Sequence, residues 1–512
     1  MTRHNQKIKY LIIGLIVLFS LVGCIESSSK EPNQPVNNTV QILNANEEEA
    51  LDETDNEEET LGETDDEQSG VTSFEIFQYL DVNKIDLMRA MDVLKMLTSE
   101  EYEGRKAGLE PSLLAEDYIV EIFKEIGLEA PESLNGYKQV YSQKAIYPVK
   151  ATEISIIGSD YEIEAQVDFA EKFYVGRTYY DADFTAEMTY IDTVDKLLNK
   201  TEELDGKVLL MTKDVFYDNS TTRLLEFIEK DGILIKGIIV KSTQKGSSGM
   251  IVSHALRGEE GMVFEEHDPV LMNMSPEVFD HLHSISEEGA EIKVSMDFEL
   301  VDVEPSNIVG VIPGKNEDGE NETLIIGAHI DHTGNNMNGT YNAGALDNAS
   351  GVGAVVELAR LVSESEQPEN TIVFVLFNGE EDGMKGSRYF VENPPIEFDK
   401  ETTKMINLDM VGSINDLPLL ICSALPVGDD LREEVVDVAK HLDMSYEAVE
   451  MGSSDHVMFA LNEIPSVMLI HLDYDSIHTP SDTVDIAISD ERFKEVIKLG
   501  LALIDKEAYQ DN

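Results

Sequence analysis

Thr323-Leu324-Ile325-Ile326-Gly327-Ala328-His329-Ile330-Asp331 is an apolar run that ends on an imidazole and a carboxylate. Its first part, Thr323 to Gly327, has the length of a strand and no polar alternation, so it reads as a strand buried on both faces. Similar runs recur at Thr371 to Phe377, Met405 to Leu408, Leu419 to Cys422 and Val467 to Ile470. Helical patterns stand at Gly351 to Ser363, Leu431 to Leu442 and Arg492 to Ile504. Strands alternating with helices predict an α/β fold, with a mixed, mainly parallel sheet flanked by helices. Open sheets of this kind collect ligands beyond the carboxyl ends of their strands. His329 and Asp331 stand at such an end.

Working outward, Ile85, Leu87, Met88, Met91, Leu94 and Leu97 share one helical face, and a second amphipathic helix runs through Tyr118, Ile119, Ile122 and Phe123 to Gly127. From Gln139 to Val301 short β-type runs dominate, among them Gly206 to Met211 and Lys236 to Val240. No internal repeat is visible. At the other extreme, Arg3, Lys7 and Lys9 precede an apolar run from Tyr10 to Val22, the layout of a signal peptide. The run ends Leu21-Val22-Gly23-Cys24 and resembles a bacterial lipobox, with Cys24 as the residue that would carry lipid; an uncleaved signal anchor is the alternative. Residues 24–75 are rich in Ser, Asn, Pro and acid, and include Glu47-Glu48-Glu49 and Glu57-Glu58-Glu59, too polar to bury a core. The expected organisation is therefore a signal peptide (1–23), a disordered acidic tether (24–75), a helical segment (76–138), a β-rich region (139–301) and the α/β remainder (302–512).

The 38 Lys and Arg against 101 Asp and Glu give a formal charge of -63. Such a surface repels phosphate, which argues against nucleic acid as a partner. It is also compatible with a saline habitat, since salt screens self-repulsion; stability that rises from low to molar salt is the corresponding expectation. Cys24 and Cys422 are the only cysteines, so no disulfide framework or thiolate metal site is available. Cys422 lies in an apolar strand and reads as a core residue.

Five segments bring acids and histidines to predicted strand ends or loops: Gly327 to Asp331, Gly344 to Gly351 around Asp347, Asn378 to Gly383 with Glu380 and Glu381, Asn407 to Met410 around Asp409, and Ile477 to Asp482 with His478. Imidazole and carboxylate without thiolate suit a hydrolytic zinc site. Two ions about 3.5 to 4 Å apart need one bridging carboxylate and about two further ligands each, which these segments supply. Each has a bland reading alone: His329 as a core histidine, Glu380-Glu381 as a solvated pair, Asp347 as a helix cap, Asp409 as a turn residue.

The five segments, in this order, resemble the M28 family of zinc peptidases. The phrase Glu103-Gly104-Arg105-Lys106-Ala107-Gly108 resembles that family's N-terminal segment, which makes 76–138 the first piece of the catalytic domain, and the region inserted after it (139–301) resembles a protease-associated (PA) domain. The resemblance implies two Zn²⁺ per chain, His329 and Asp409 on one ion, Glu381 and His478 on the other, and Asp347 between them. It also implies Glu380 as general base and Asp331 as the carboxylate that orients His329. Ile477 stands where many relatives carry a Tyr; Tyr474 is the candidate replacement, or the contact is missing. Leu346 and His332 depart from the family pattern beside the ligands. Asp455 and His456, in Ser453 to His456, resemble a motif that lines the substrate site, while Asp455 equally suits a helix cap. The expected activity is removal of N-terminal residues from peptides outside the cell membrane. Carboxypeptidase or glutaminyl cyclase activity, or a noncatalytic surface receptor or adhesin, are the alternatives, since a fold does not fix a reaction.

Overall fold

Eight strands form one sheet: β1 (Lys138–Val140), β2 (Ser306–Ile312), β3 (Thr323–His329), β4 (Thr371–Phe377), β5 (Thr403–Leu408), β6 (Leu419–Ser423), β7 (Tyr446–Glu450) and β8 (Ser466–Ile470). In this computed structural model the described residues are 76–148, 150, 153–157, 173–177, 182–199, 203–216, 233–241, 269–315, 322–337, 339–473 and 477–509. The expected signal peptide, Cys24, the tether and Tyr474 lie outside them.

The strand order is β1-β2-β4-β3-β5-β8-β6-β7. The neighbours β4-β3, β3-β5 and β5-β8 are parallel, as are β6-β7. The pairs β1-β2, β2-β4 and β6-β8 are antiparallel. The expected mixed, mainly parallel sheet flanked by helices is what forms. Along β3 successive side chains alternate between two cores, as strand geometry requires. Leu324, Ile326 and Ala328 join a core with α1 (Leu87–Leu97), α2 (Glu110–Ile126), α3 (Ser350–Ser363) and a long C-terminal helix, Asp490–Tyr509. Ile325 joins a second core with Phe390 and Phe459, from the helices Lys385–Glu392 and His456–Leu461. Two-sided burial explains why β3 and β4 are almost continuously apolar.

The predicted strands and helices occur within a few residues of their expected bounds. β1, β2 and β7 match none of the expected strands; β7, an edge strand, is mostly exposed or half-buried and carries no apolar run. The described chain begins fastened to the C-terminal helix: Asp505 accepts the N–H groups of Gln78 (3.1 Å), Tyr79 (2.8 Å) and Leu80 (2.6 Å).

β1 leads out of this sheet and β2 returns to it. Between them, Gln143–Pro148 and Phe298–Val303 pair as an antiparallel ribbon. Beyond the ribbon stands a separate seven-stranded sheet that includes Ala182–Ile191, Val208–Met211 and Gly237–Lys241. Its cores contain only residues from 154–296. No helix among the described residues is long and apolar enough to cross a membrane.

Candidate metal centre

The parallel strands β3, β4, β5 and β8 end side by side, and their chain continuations converge. His329 closes β3, Glu380 and Glu381 follow β4, Asp409 follows β5, and His478 lies in the loop after β8. Asp347 comes from the turn before α3, where the Asp347-Asn348 peptide is cis. This placement follows from topology, since parallel strands deliver all their carboxyl ends to one edge.

One group comprises His329, Asp347 and Asp409: His329 Nε2 lies 3.3 Å from Asp347 Oδ1 and 3.3 Å from Asp409 Oδ1. A second comprises His332, Asp347, Glu381 and His478. His478 Nε2 lies 2.7 Å from Asp347 Oδ2 and 3.3 Å from Glu381 Oε1, while His332 Nδ1 lies 2.8 Å from Glu381 Oε1 and 3.9 Å from Asp347 Oδ2. Asp347 belongs to both groups through different oxygens. These six contacts fall between 2.7 and 3.9 Å, which brackets the edge of about 3.3 Å of a tetrahedron with zinc-ligand bonds of roughly 2.0–2.1 Å. Nitrogen and carboxylate donors, buried and convergent, fit divalent cations.

The electrostatics agree. Burial opposes charge on His329, yet Asp409 and Asp347 hold its pKa well above the ordinary imidazole value. For His478, Glu381 and Asp347 overcome burial in the same way. Conversely, burial would raise Asp347 and Glu381, but the facing histidines hold both below the usual carboxylate range. These acids thus favour positive charge at the centre of each group, which a divalent cation supplies. Glu380 differs: burial, with Asp455, Glu381 and Asp409 nearby, raises its pKa well above the carboxylate norm although His329 pulls the other way. It remains partly exposed at the site.

The structure corrects the expected contact of Asp331. His329 Nδ1 is 3.1 Å from the Asp331 carbonyl oxygen, while the nearer carboxylate oxygen stands at 3.9 Å. The Asp331 carboxylate instead accepts the backbone N–H groups of Glu380 (3.1 Å) and Glu381 (3.3 Å). Its side chain therefore sets the acid pair in place, and its main chain orients the imidazole. Burial pushes its pKa up to about 8, Glu381 and Asp382 adding to the rise and His329 opposing it.

Neither Asp347 nor Asp455 caps a helix. α3 begins after Ala349 with no side-chain cap, and the helix at His456 starts with the Asp455 carboxylate bonding none of its N–H groups. Both Asp455 carboxylate oxygens are buried without a hydrogen-bond partner, and burial lifts its pKa to about 7. His456 does not face the cluster with its bonded nitrogen: Nε2 donates to the Met451 carbonyl at 2.9 Å, and burial pulls its pKa down to about 4, so the ring is neutral near pH 7.

Several supports escaped the sequence reading. Asp482 accepts the N–H groups of Leu346 (2.8 Å) and Asp347 (3.1 Å), pinning the turn that carries the shared carboxylate. Asn348 ties that turn to β5, donating to Leu408 O at 2.9 Å and accepting from Met410 N at 3.2 Å. Arg105 is fully buried and donates to the carbonyls of Ile330 (2.9 Å), Leu97 (2.7 Å), Ala343 (2.7 Å) and Gly344 (3.0 Å). One guanidinium thus clamps both the His329 and Asp347 loops, and its charge lies behind the acids. Lys106 Nζ reaches Asp382 Oδ1 at 3.2 Å, and Gln143 donates to Asp382 Oδ2 at 2.8 Å. The signals for these were position in already suspicious phrases: Asp482 closes the His478 segment, and Arg105-Lys106 sits in the upstream one.

Curated relatives match parts of the chain. An aminopeptidase of Bacillus subtilis (strain 168) is 28% identical over 207 residues, 39% of this chain and 44% of that protein. A leupeptin-inactivating enzyme of Streptomyces exfoliatus is 36% identical over 110 residues, 21% of this chain and 23% of that protein. The matches thus span less than half the length of these relatives. Among solved structures, an aminopeptidase from Aneurinibacillus sp. strain AM-1 superposes with a TM-score of 0.60 at 24% identity, covering 84% of this chain and 96% of that one, and so shares the fold. Residues 307–504 match Peptidase family M28, and every side chain of the two groups, His329, His332, Asp347, Glu381, Asp409 and His478, lies within that segment.

Proposed function

We propose that this chain is a zinc-dependent aminopeptidase that removes N-terminal residues from peptides outside the cell membrane, to which lipid on Cys24 anchors it. The observation that carries the reading is Asp347, whose two oxygens face different histidines, Oδ1 at 3.3 Å from His329 and Oδ2 at 2.7 Å from His478. A carboxylate placed so is suited to bridge two cations. His329 and Asp409 would hold one zinc ion, Glu381 and His478 the other. When bound, such a pair supplies Lewis acidity toward a scissile carbonyl and a lowered pKa for water.

The chain's own residues do the rest. Glu380 accepts a proton from the attacking water and returns it to the leaving amine. Its burial among acids raises its pKa, which moves it toward the range where one group both takes and gives a proton. The Asp331 carboxylate, holding the Glu380 and Glu381 N–H groups, keeps that base aligned. Glu380 and the neighbouring carboxylates Asp409 and Asp455 draw the substrate's ammonium group, with Asp455, His456 and Tyr474 lining the substrate site. The lipobox-like Leu21 to Cys24 and the acidic tether support the anchored placement, and residues 139–301 serve as the PA-like insertion. Metal analysis of the purified chain should find about two zinc ions, and free peptides should be turned over while N-acetylated ones are not. Equal turnover of N-blocked peptides would refute the aminopeptidase assignment.

A further inference from the structure

The two groups that share Asp347 are not equivalent, and the difference is His332. We propose that His332 is a fourth protein ligand at one cation position, so that the pair is unequal: one position is held by His332, Asp347, Glu381 and His478, the other by His329, Asp347 and Asp409. This rests on the metallopeptidase reading above and deepens it.

His332 is completely buried. Its Nδ1 lies 2.8 Å from Glu381 Oε1 and 3.9 Å from Asp347 Oδ2, and its ring centroid is 5.4 Å from that of His478. The four donor atoms all lie within 4.8 Å of one another. Nε2 has no hydrogen-bond partner, so the ring's polar contacts lie on the nitrogen that faces the cluster. The ring is also held from behind. Gly344, at φ +65°, lets the loop that carries Asp347 pass so close that a Cβ there would stand 2.6 Å from His332 Cδ2. Any side chain at 344 would push the imidazole out of this position.

Zinc takes four ligands in tetrahedral sites that are closed, and keeps a position open where only three come from protein. Four donors therefore describe a retaining position, and three describe one with room for an exchangeable ligand. The inequality thus divides the labour: the four-donor position builds and holds the site, and the three-donor position keeps room for an exchangeable ligand.

A plain hydrogen bond from His332 to Glu381 is the competing role, and His332→Gln separates the two, since an amide N–H can still donate to the carboxylate but offers no imidazole nitrogen. The experiment is calorimetric titration of the metal-stripped full chain with Zn²⁺, with Co²⁺ absorption as a second readout. Wild type should bind two ions in steps about tenfold or more apart in affinity, and His332→Gln and His332→Ala should each weaken the tighter step by about tenfold or more and shift the Co²⁺ bands. The weaker step, unchanged, reports that the variants are folded. A His332→Gln chain with wild-type constants and spectrum would overturn the assignment. Two ions of equal affinity in a wild-type chain that still cleaves free peptides would also overturn it and leave the proposed function standing, whereas a wild-type chain that binds no ion would remove both.

Discussion

The seven-stranded sheet of the insertion and the central strands of the eight-stranded sheet are made of the same material, aliphatic runs such as Val208–Met211 and Thr323–His329, yet they bury different things. Between residues 153 and 296, the only polar or charged side chain that is buried among the described residues is Ser286. At the ends of β3, β4, β5 and β8 the buried groups include His329, Asp331, His332, Asp347, Glu381, Asp409 and Asp482. A carboxylate taken out of water costs several kcal/mol unless charge or hydrogen bonds compensate it. One sheet therefore shows what stability alone requires, and the other carries an excess that stability does not explain. That excess is where the proposed chemistry is placed.

Substitutions can break this contrast or make it sharper. The largest effect should come from Asp347→Ala, which removes the oxygen donors common to both groups: metal content should fall below one ion per chain and peptide cleavage should vanish, and a variant that keeps two ions would dissolve the argument from the shared carboxylate. Glu380→Gln should retain the metals, as measured by elemental analysis, and lose roughly 10²-fold or more in kcat; undiminished cleavage would refute its role as base.

A pH effect should belong to the part built on the eight-stranded sheet. Burial holds His456 at about 4, below the ordinary imidazole value of about 6.5. Its contribution to stability is thus complete above about pH 6.5 and drains as pH falls toward 4, because the unfolded chain gains the proton first; the loss is on the order of 3 kcal/mol. Urea unfolding at pH 7 and pH 4.5 should show a smaller acid loss in His456→Asn than in wild type, and identical losses would contradict this. The smallest effect on the site is expected from Ile239→Ala in the buried core of the insertion. It should cost about 2–5 kcal/mol of stability there with metal content unchanged, whereas metal loss would show that the two sheets are not independent in this respect.

Much of the site was legible because it lies in short phrases at the ends of apolar runs. His329 directly follows such a run, and Glu380, Glu381 and Asp409 follow others within a few residues, so strand periodicity alone sends them to one edge of the sheet. His332 was seen only as a departure from a pattern, because nothing in its neighbours' spacing says that its ring turns back toward Glu381. Asp331 was noticed but given the wrong atoms: two residues from a histidine, a carboxylate suggests a direct contact, while the turn after β3 presents its carbonyl to the imidazole and its carboxylate to the chain after β4. β7 was missed because an exposed edge strand need not be apolar.

Local order along the chain determined the α/β alternation, the buried strands and the kinds of donor available, because periodicity and side-chain chemistry are properties of neighbours. Only the tertiary structure decided which donors share an oxygen, that Arg105 and Asp482 clamp the loops that carry them, and that Asp455 is buried without a partner. Those are distances between segments separated by tens to hundreds of residues, and the strand order β4-β3-β5-β8, which no single segment encodes, is what sets them.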